Sequence, residues 1–269
     1  MPSKFIIDHF RHSLQLAEEF FKERKLKESL NSLLQAAEYL NTATNEEAEQ
    51  MTIEYRQQTA DSWLLTIAED FEKNVLFNFA EAMYQLIVEF ESDSLSYEFL
   101  GEYYLRHGEY AKSKNILKKA LDLAGVEAKI EVPDLYNSLG EVCLKLGDYK
   151  EAASFLVRAK EIEFYSGENE MNLNNYGGST IIQNAYLYLF DHYFPKEYLD
   201  FCILLLHEAM YQGDNYSNDF LVNLHSRRGM CYYKKNNFNE ASFSFKKVLE
   251  REPNNSNAKE MLNKINVAA

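Results

Sequence analysis

Glycine and proline are scarce in this sequence, which has 10 Gly and 4 Pro in 269 residues. A β-sandwich needs a turn about every 8–12 residues, and these residue types dominate such turns, so that architecture is disfavoured. Long apolar runs are also missing, since no stretch approaches the roughly 18 residues of a membrane-spanning helix. The N-terminal residues contain no apolar core of about 7–15 residues, so we expect no secretory signal there.

Positive charge is in short supply as well. Lys and Arg number 28 against 42 Asp and Glu, which gives a formal net charge of −14 at pH 7. Affinity for nucleic acids and for anionic membrane surfaces comes largely from clustered Lys and Arg. The charge balance therefore predicts neither a nucleic-acid partner nor insertion into a membrane.

Cysteine is rare, with three residues at Cys143, Cys202 and Cys231. Their odd number and wide spacing are typical of reduced, buried thiols and not of a disulfide framework. Together with the lack of a signal sequence, this usage predicts a cytoplasmic location.

What the sequence does contain is self-similarity. Three segments share one pattern, in which two large residues stand three positions apart and the second of them is followed directly by Gly. A second small residue stands twelve positions after that Gly, with a turn signal between the two. Two antiparallel helices approach closely only where small side chains face each other, so each segment predicts a helix pair. The three segments are Tyr97–Tyr104 with Ser113, Tyr136–Cys143 with Ala152, and His225–Tyr232 with Ala241.

This pattern resembles the tetratricopeptide repeat (TPR), a helix–turn–helix unit of about 34 residues. One such unit leaves an apolar face uncovered, so that its stability depends on stacked neighbours. The resemblance implies an all-α fold, namely a right-handed α-solenoid of about six TPR-like helix pairs with a C-terminal capping helix.

Weaker copies extend the pattern over most of the chain, as a single TPR-like solenoid over residues 1–269. Residues 44–60 contain a capping box and are interpreted as a helical insertion. Residues 166–180 are rich in Asn and Gly and are interpreted as a surface loop or joint. Residues 256–265 are predicted to form the capping helix. The predicted repeats span approximately 10–43, 61–93, 94–127, 133–166, 182–215 and 222–255.

Catalytic signatures are weak. His207 and Glu208 lack the second His of a zinc-protease helix, and residues 177–180 lack the Gly-Lys pair of a phosphate-binding loop. His9 and His12 share a helical face without a third metal ligand nearby in the sequence. We therefore expect no enzymatic activity, no metal and no cofactor, and the enzymatic alternative is a site assembled across repeats.

The resemblance also implies where a partner binds, because the first helix of each TPR unit lines a concave groove. Carried over to this sequence, the groove positions predict an acidic centre and an aromatic C-terminal part. The predicted partner-groove residues are Glu69, Glu98, Glu102, Asp134, Asn137, Glu141, Tyr186, Phe190, Tyr193, Met230 and Tyr233.

These features predict a non-catalytic interaction module (a scaffold, adaptor or co-chaperone) that binds a basic, partly apolar peptide or helix of another protein. An acidic groove repels carboxylates, which disfavours the TPR subclass that holds the C-terminal carboxylate of heat-shock chaperones. The alternative is a peptide-sensing regulatory receptor. DNA-binding receptors of that kind carry a helix-turn-helix domain before the repeats, and the segment before Phe10 is too short for one.

Overall fold

The computed structural model is helical, and no strand occurs in the residues that it describes. The all-α repeat fold predicted from the sequence is thereby confirmed. None of the described helices combines the length and the apolar character needed to cross a membrane. The chain divides into two compact units, Met1–Ile130 and Glu131–Ala269. The structure describes residues 3–58, 63–127, 132–166, 181–211 and 216–268.

The first unit contains three helix pairs and one additional helix within its described residues. Helices α1 to α7 span Ser3–Lys22, Leu26–Thr42, Asn45–Gln58, Trp63–Lys73, Phe77–Glu91, Ser94–Arg106 and Tyr110–Glu127. The pairs are α1/α2, α4/α5 and α6/α7, and the two helices of each pair share the most extensive contacts of the unit. A continuous hydrophobic core reaches from Ile7 in α1 to Tyr104 in α6.

The second unit repeats this plan. Helices α8 to α14 span Pro133–Leu146, Tyr149–Ser166, Ile181–Tyr193, Leu199–Tyr211, Asn218–Lys234, Phe238–Arg251 and Ser256–Ala268. The pairs are α8/α9, α10/α11 and α12/α13. One hydrophobic core reaches from Cys143 in α8 to Cys231 in α12, and a second core joins α12, α13 and α14.

In each of the six described pairs, the turn between the two helices contains one residue in the left-handed backbone region. Gly108 and Gly147 adopt φ angles of 78° and 80°, which glycine does without steric cost. Val75 adopts 62° and is strained, because a β-branched side chain disfavours this region. The same turn therefore recurs even where the sequence retains little of the repeat pattern. The six residues are Arg24, Val75, Gly108, Gly147, Glu197 and Asn236.

Small residues allow the helices of a pair to approach closely. Gly101 is buried in α6, and its carbonyl oxygen accepts a hydrogen bond of 2.7 Å from Ser113 Oγ in α7. The weaker first copy shows the same contact, since Ser29 Oγ donates to the Ala17 carbonyl oxygen at 2.7 Å. The twelve-residue spacing in the sequence thus brings equivalent backbone positions together in a strong and in a weak copy.

Helix α3 lies within residues 44–60, where the sequence predicts a helical insertion. Its capping box is formed, because the Thr44 backbone N–H donates to Glu47 Oε2 at 2.8 Å. The buried Tyr55 stacks on Phe90 of α5 with ring centroids 4.7 Å apart. This helix therefore completes the core of the first unit between α1 and α5.

The two remaining predicted segments belong to the second unit. Residues 256–265 lie within α14, and Met261 and Ile265 of this helix are buried against α12 and α13. The joint predicted at residues 166–180 lies outside the described residues, except for Ser166, which ends α9.

Candidate functional site

In the first unit, the predicted groove residues Glu69 and Glu102 lie in one cleft of about 390 Å³. Both carboxylates already face cations, because Lys73 Nζ lies 3.3 Å from Glu69 Oε2 and Arg106 Nη1 lies 3.8 Å from Glu102 Oε2. The acidic centre expected here is therefore partly neutralised. The cleft is lined by Leu65, Glu69, Glu72, Lys73, Tyr84, Phe99, Glu102 and Arg106.

Glu72 is the centre of a hydrogen-bonded network in this cleft. Arg106 donates to it in bidentate fashion, from Nε to Oε1 at 2.9 Å and from Nη2 to Oε2 at 3.0 Å. The Tyr84 hydroxyl donates to Oε2 at 3.2 Å, and His107 Nε2 lies 3.1 Å from Oε1. Arg106 holds the pKa of Glu72 below its ordinary value, while burial raises the pKa of Tyr84. The network joins the α4/α5 pair to α6.

We expect the substitution Arg106→Leu to destabilise the first unit by about 1–2 kcal/mol at neutral pH, because Glu72 loses its guanidinium partner. The folded-state pKa of Glu72 is lowered, so the pair contributes stability above the ordinary Glu value of 4.5. That contribution is lost as the pH falls through the folded-state pKa. The difference between the two chains should therefore shrink on acidification. Urea unfolding followed by the fluorescence of Trp63, the single Trp, measures it.

Arg11→Leu is the matched control, because Arg11 pairs with Asp8 at an exposed position of the same unit. We expect it to change the unfolding free energy by less than about 0.5 kcal/mol. A stability difference for Arg106→Leu that stays constant from about pH 7 to about pH 3 contradicts the role of the ion pair.

In the second unit, the predicted groove residues Asn137, Glu141 and Tyr193 share a cleft of about 240 Å³. Helices α8 and α10 supply most of its walls, and two residues of α9 complete it. The cleft is lined by Asn137, Ser138, Glu141, Leu156, Lys160, Tyr188, Leu189, His192 and Tyr193.

Of the two carboxylates in and beside this second cleft, Glu163 and Glu141, one has cationic and amide partners and the other has none in the described part of the chain. Lys160 Nζ donates to both carboxylate oxygens of Glu163 at 2.8 and 2.7 Å, and Asn137 Nδ2 donates to the same carboxylate at 3.2 Å. The exposed Glu141, in contrast, has no hydrogen-bond or ion-pair partner among the described residues. The cleft therefore offers an uncompensated carboxylate.

Tyr193 is held by aromatic neighbours at the side of the cleft. Its ring meets the rings of Phe201 and Tyr198 edge-on, at centroid distances of 5.3 and 5.8 Å. Burial, reinforced by the charge of Glu141, raises the pKa of Tyr193 to about 12. Burial also lowers the pKa of His192, as do the nearby charges of Lys196 and Lys160. The cleft thus combines one free carboxylate with rings that are neutral at pH 7.

The aromatic part of the predicted groove does not form one exposed surface. Tyr186 and Phe190 are only 7% and 3% exposed and belong to the core that joins α8 to α12, because packing against neighbouring helices takes up these large side chains. Met230 and Tyr233 are half-buried against the separate core of α12 to α14. The rings of Tyr186 and Phe190 are therefore largely buried, although Tyr186 lines a further cleft beside Phe155. A partner contact by Met230 and Tyr233 stays a prediction.

Two acidic residues of the predicted groove line neither of these clefts. Glu98 is half-buried on α6, and Asp134 is exposed in the first turn of α8. Their contribution to partner binding stays a prediction.

Ion pairs connect successive helix pairs, a feature that was not predicted from the sequence. Arg106 pairs with Glu72, and Arg227 Nη2 donates to Asp191 Oδ2 at 2.9 Å. The partners are 34 and 36 residues apart, close to one repeat. Opposite charges about one repeat apart in the sequence could have predicted these ion pairs, because equivalent positions of stacked units come to lie beside each other.

His, Cys, Asp and Glu side chains of the described residues form no group of three or more that could hold a metal ion. All three cysteines are buried thiols, and none of them forms a disulfide. A hydrogen bond with Cys231, together with burial, raises the pKa of the Cys202 thiol, so this thiol is a poor nucleophile.

Comparison with known proteins identifies the repeat. One family model, described as Tetratricopeptide repeat, matches residues 222–255, and a second model with the same description matches residues 95–126 and 133–164. No curated protein matches the sequence.

Three solved structures are among those similar to this chain. YrrB, described as a TPR protein with an unusual peptide-binding site, is 23% identical over 73% of this chain and 89% of its own, with a TM-score of 0.38. The MamA protein is 18% identical over 72% of this chain and 93% of its own, with a TM-score of 0.41. BtubC from P. vanneervenii is 15% identical over 85% of this chain and 91% of its own, with a TM-score of 0.41. With TM-scores below 0.5, none of the three defines how the helices of this chain are arranged.

Proposed function

We propose that this chain, whose residues 95–126, 133–164 and 222–255 match tetratricopeptide repeats, is a non-catalytic adaptor whose second unit binds a basic, partly apolar segment of a partner protein. TPR units in general serve as protein–protein interaction modules, so the proposal concerns the chemistry of the segment and its place of binding. Glu141 carries the proposal, as an exposed carboxylate in a cleft with aromatic walls and without a partner among the described residues.

The chemistry of the cleft favours a Lys or Arg side chain. A cation that pairs with Glu141 lies beside Tyr193, an aromatic ring that already attracts a cation, since Lys196 Nζ lies 5.2 Å from its centroid. The apolar stem of Lys or Arg packs well against the aromatic and leucine side chains of such a wall. A carboxylate ligand is repelled by Glu141, which disfavours binding of a C-terminal carboxylate here.

The size of the cleft favours a peptide side chain over a small-molecule ligand. Pockets for drug-sized ligands or cofactors usually enclose about 300–1,000 Å³. The cleft around Glu141 measures about 240 Å³, which suits one or two side chains of an extended or helical segment.

The first-unit cleft fits this ligand less well. Its carboxylates at Glu69, Glu72 and Glu102 already face Lys73 and Arg106, so an incoming cation has to displace existing pairs. The second-unit cleft requires no such displacement at Glu141.

The test is the binding of a fluorescein-labelled peptide of alternating Lys and Leu, followed by fluorescence anisotropy. We expect Glu141→Lys to weaken binding about tenfold or more, because it replaces attraction by repulsion. The affinity of the unsubstituted chain should fall as salt rises, since exposed charges are screened over about 8–10 Å at ordinary ionic strength.

Glu38→Lys is the matched control, because Glu38 is exposed on α2 in the other unit and the substitution changes the net charge equally. Circular dichroism establishes that both variants remain helical. Equal losses of affinity in the two variants indicate attraction to the acidic chain as a whole and refute binding at Glu141.

A further inference from the structure

The last matched repeat differs from the other two at positions that are apolar in both of them. The first helix has Tyr and Leu at two such positions in the earlier repeats, and the second helix has bulky apolar residues at two more. In the last repeat all four positions are polar or charged, although Gly229 and Ala241 keep the small residues of the pattern. The equivalent sets are Tyr97, Leu100, Ile116 and Leu123, then Tyr136, Leu139, Phe155 and Ile162, and finally His225, Arg228, Ser244 and Arg251.

A fifth position changes in the opposite way, because it is polar in the two earlier repeats and aromatic in the last one. Asn115 and Ser154 of the earlier repeats correspond to Phe243, whose side chain is 51% exposed on α13. The adjacent pair Phe243-Ser244 therefore places its aromatic residue outward and its small polar residue inward. In the second matched repeat the pair Ser154-Phe155 has the reverse order.

The structure brings these exceptional residues together on α12 and α13. Arg228 Nε donates to the buried Ser244 Oγ at 3.1 Å, and the guanidinium lies 5.7 Å from the centroid of the Phe243 ring. Lys247 Nζ lies at 5.7 Å from the same centroid. The exposed ring of Phe243 thus has two cations within interaction distance, and we refer to His225, Arg228, Phe243, Ser244, Lys247 and Arg251 as the basic patch.

Positive charge in the basic patch exceeds negative charge. Arg228, Arg251 and Lys247 all act on the imidazole of His225, and the acidic group that acts on it is Glu250, whose carboxylate Lys247 Nζ already holds at 2.7 Å. Burial, reinforced by these cations, lowers the pKa of His225 to about 4. His225 is only 5% exposed, and its Nδ1 has no hydrogen-bond partner within the part of the chain that the structure describes.

Arg228 retains hydrogen-bonding capacity for a ligand. Its Nε is used by Ser244, but its two terminal nitrogens have no hydrogen-bond partner among the described residues. A guanidinium with both terminal groups available binds a carboxylate through two parallel hydrogen bonds. Placing His and Arg where the other repeats have Tyr and Leu costs desolvation energy that an apolar residue avoids. A negatively charged ligand offsets that cost.

We propose that the basic patch is a second docking surface, which binds an acidic, Glu- or Asp-rich segment of a partner protein. Charge complementarity identifies the occupant, because the patch is a local excess of cations on a chain with a net charge of −14. That overall charge repels a polyphosphate backbone, which presents negative charge along its whole length, more strongly than it repels a short acidic segment. The surface lies on α12 and α13 and shares no residue with the cleft around Glu141.

The experiment measures binding of a fluorescein-labelled peptide of alternating Glu and Ser to the full chain by fluorescence anisotropy. The double variant Arg228→Leu/Ser244→Phe restores the residue types of the second repeat, and circular dichroism establishes that it remains helical. We expect it to bind the peptide about tenfold more weakly or worse, since a charge-assisted pair is lost. Phe243→Ser, which restores the exposed Ser of the second repeat, should weaken binding about threefold.

Lys259→Ile is the matched control, because it removes one positive charge at an exposed position of α14. A peptide of alternating Gln and Ser controls for the charge of the ligand. The proposal is overturned if the natural chain binds the Gln and Glu peptides equally, if the double variant keeps full affinity, or if Lys259→Ile loses as much affinity as the double variant.

A second readout uses the natural chain and does not depend on any variant folding. Carboxylates at the patch offset the cations around His225, so saturation with the Glu peptide should raise the pKa of His225, observed by NMR of its ring protons. An unchanged His225 pKa at saturation shows that the peptide binds elsewhere and overturns the proposal. Peptide-dependent loss of self-association in sedimentation, without the His225 response, identifies a second copy of the chain as the occupant and also overturns it.

Discussion

A chain with Phe201→Ala should unfold about 3–5 kcal/mol more readily than the natural chain, because truncation of a buried aromatic side chain removes its burial energy and leaves a cavity. Phe201 is fully buried in α11. Its ring lies 5.3 Å from that of Tyr193 and 6.0 Å from that of Tyr149. The same substitution should weaken binding of the peptide of alternating Lys and Leu, because Tyr193 loses the neighbouring ring that holds it at the side of the Glu141 cleft. Urea unfolding followed by circular dichroism measures the stability loss.

Phe243→Ala is the matched control for stability, because it makes the same change at a half-exposed position of the same unit. We expect it to cost less than about 1 kcal/mol. Phe201→Leu keeps most of the buried volume and should cost less than about 1.5 kcal/mol. Equal losses for Phe201→Ala and Phe243→Ala refute the central position of Phe201 in the core.

Gly140→Leu should destabilise the second unit by about 1–3 kcal/mol or more, because it overpacks the contact between α8 and α9. A Cβ atom added at Gly140 would lie 2.6 Å from Leu156 Cδ2, closer than side chains tolerate without movement of the neighbour. Leucine would extend further into the same space, and Leu156 is itself buried. The unfolding midpoint in urea, followed by circular dichroism, should fall accordingly.

Gly125→Leu makes the same substitution in α7 at a position where an added Cβ meets nothing within 4 Å. Because leucine is a better helix former than glycine, this control should be neutral or stabilising by up to about 1 kcal/mol. If Gly140→Leu leaves the midpoint unchanged, the close contact of α8 with α9 is not present in solution.

The sequence was most informative about the helix pairs and their register. The twelve-residue spacing of small residues predicted the contact seen between Ser113 and Gly101, and even the weak copy formed by Ala17 and Ser29 follows it. The capping of α3 by Thr44 and Glu47 was likewise predicted from the sequence. These features depend on residues of one helix or of one pair, where the regular geometry of the helix converts spacing into contact.

For the predicted groove, the sequence indicated which residues belong to it but not which of them are exposed or which charges lie beside them. Glu141 and Tyr193 do share a cleft, whereas Phe190 is drawn into the core between neighbouring helices. Beside the predicted residues Glu69 and Glu102, the pair of Glu72 with Arg106 brings a cation from another helix into the same cleft. Exposure and net local charge depend on which side chains of other repeats approach, and this is set by packing between helices that are distant in sequence.

The sequence by itself thus determined the helix pairs, their turns and the family, because these follow from periodicity within about 34 residues. Tertiary structure alone decided which residues are available to a partner. The substitution of His225 and Arg228 for Tyr and Leu is visible in the sequence, but the sequence leaves open whether they are dispersed or form one site. Arg228 of α12 contacts Ser244 and Phe243 of α13, and these contacts gather the residues into one site. Only the close packing of α12 on α13 brings the side chains within hydrogen-bonding and ring distance.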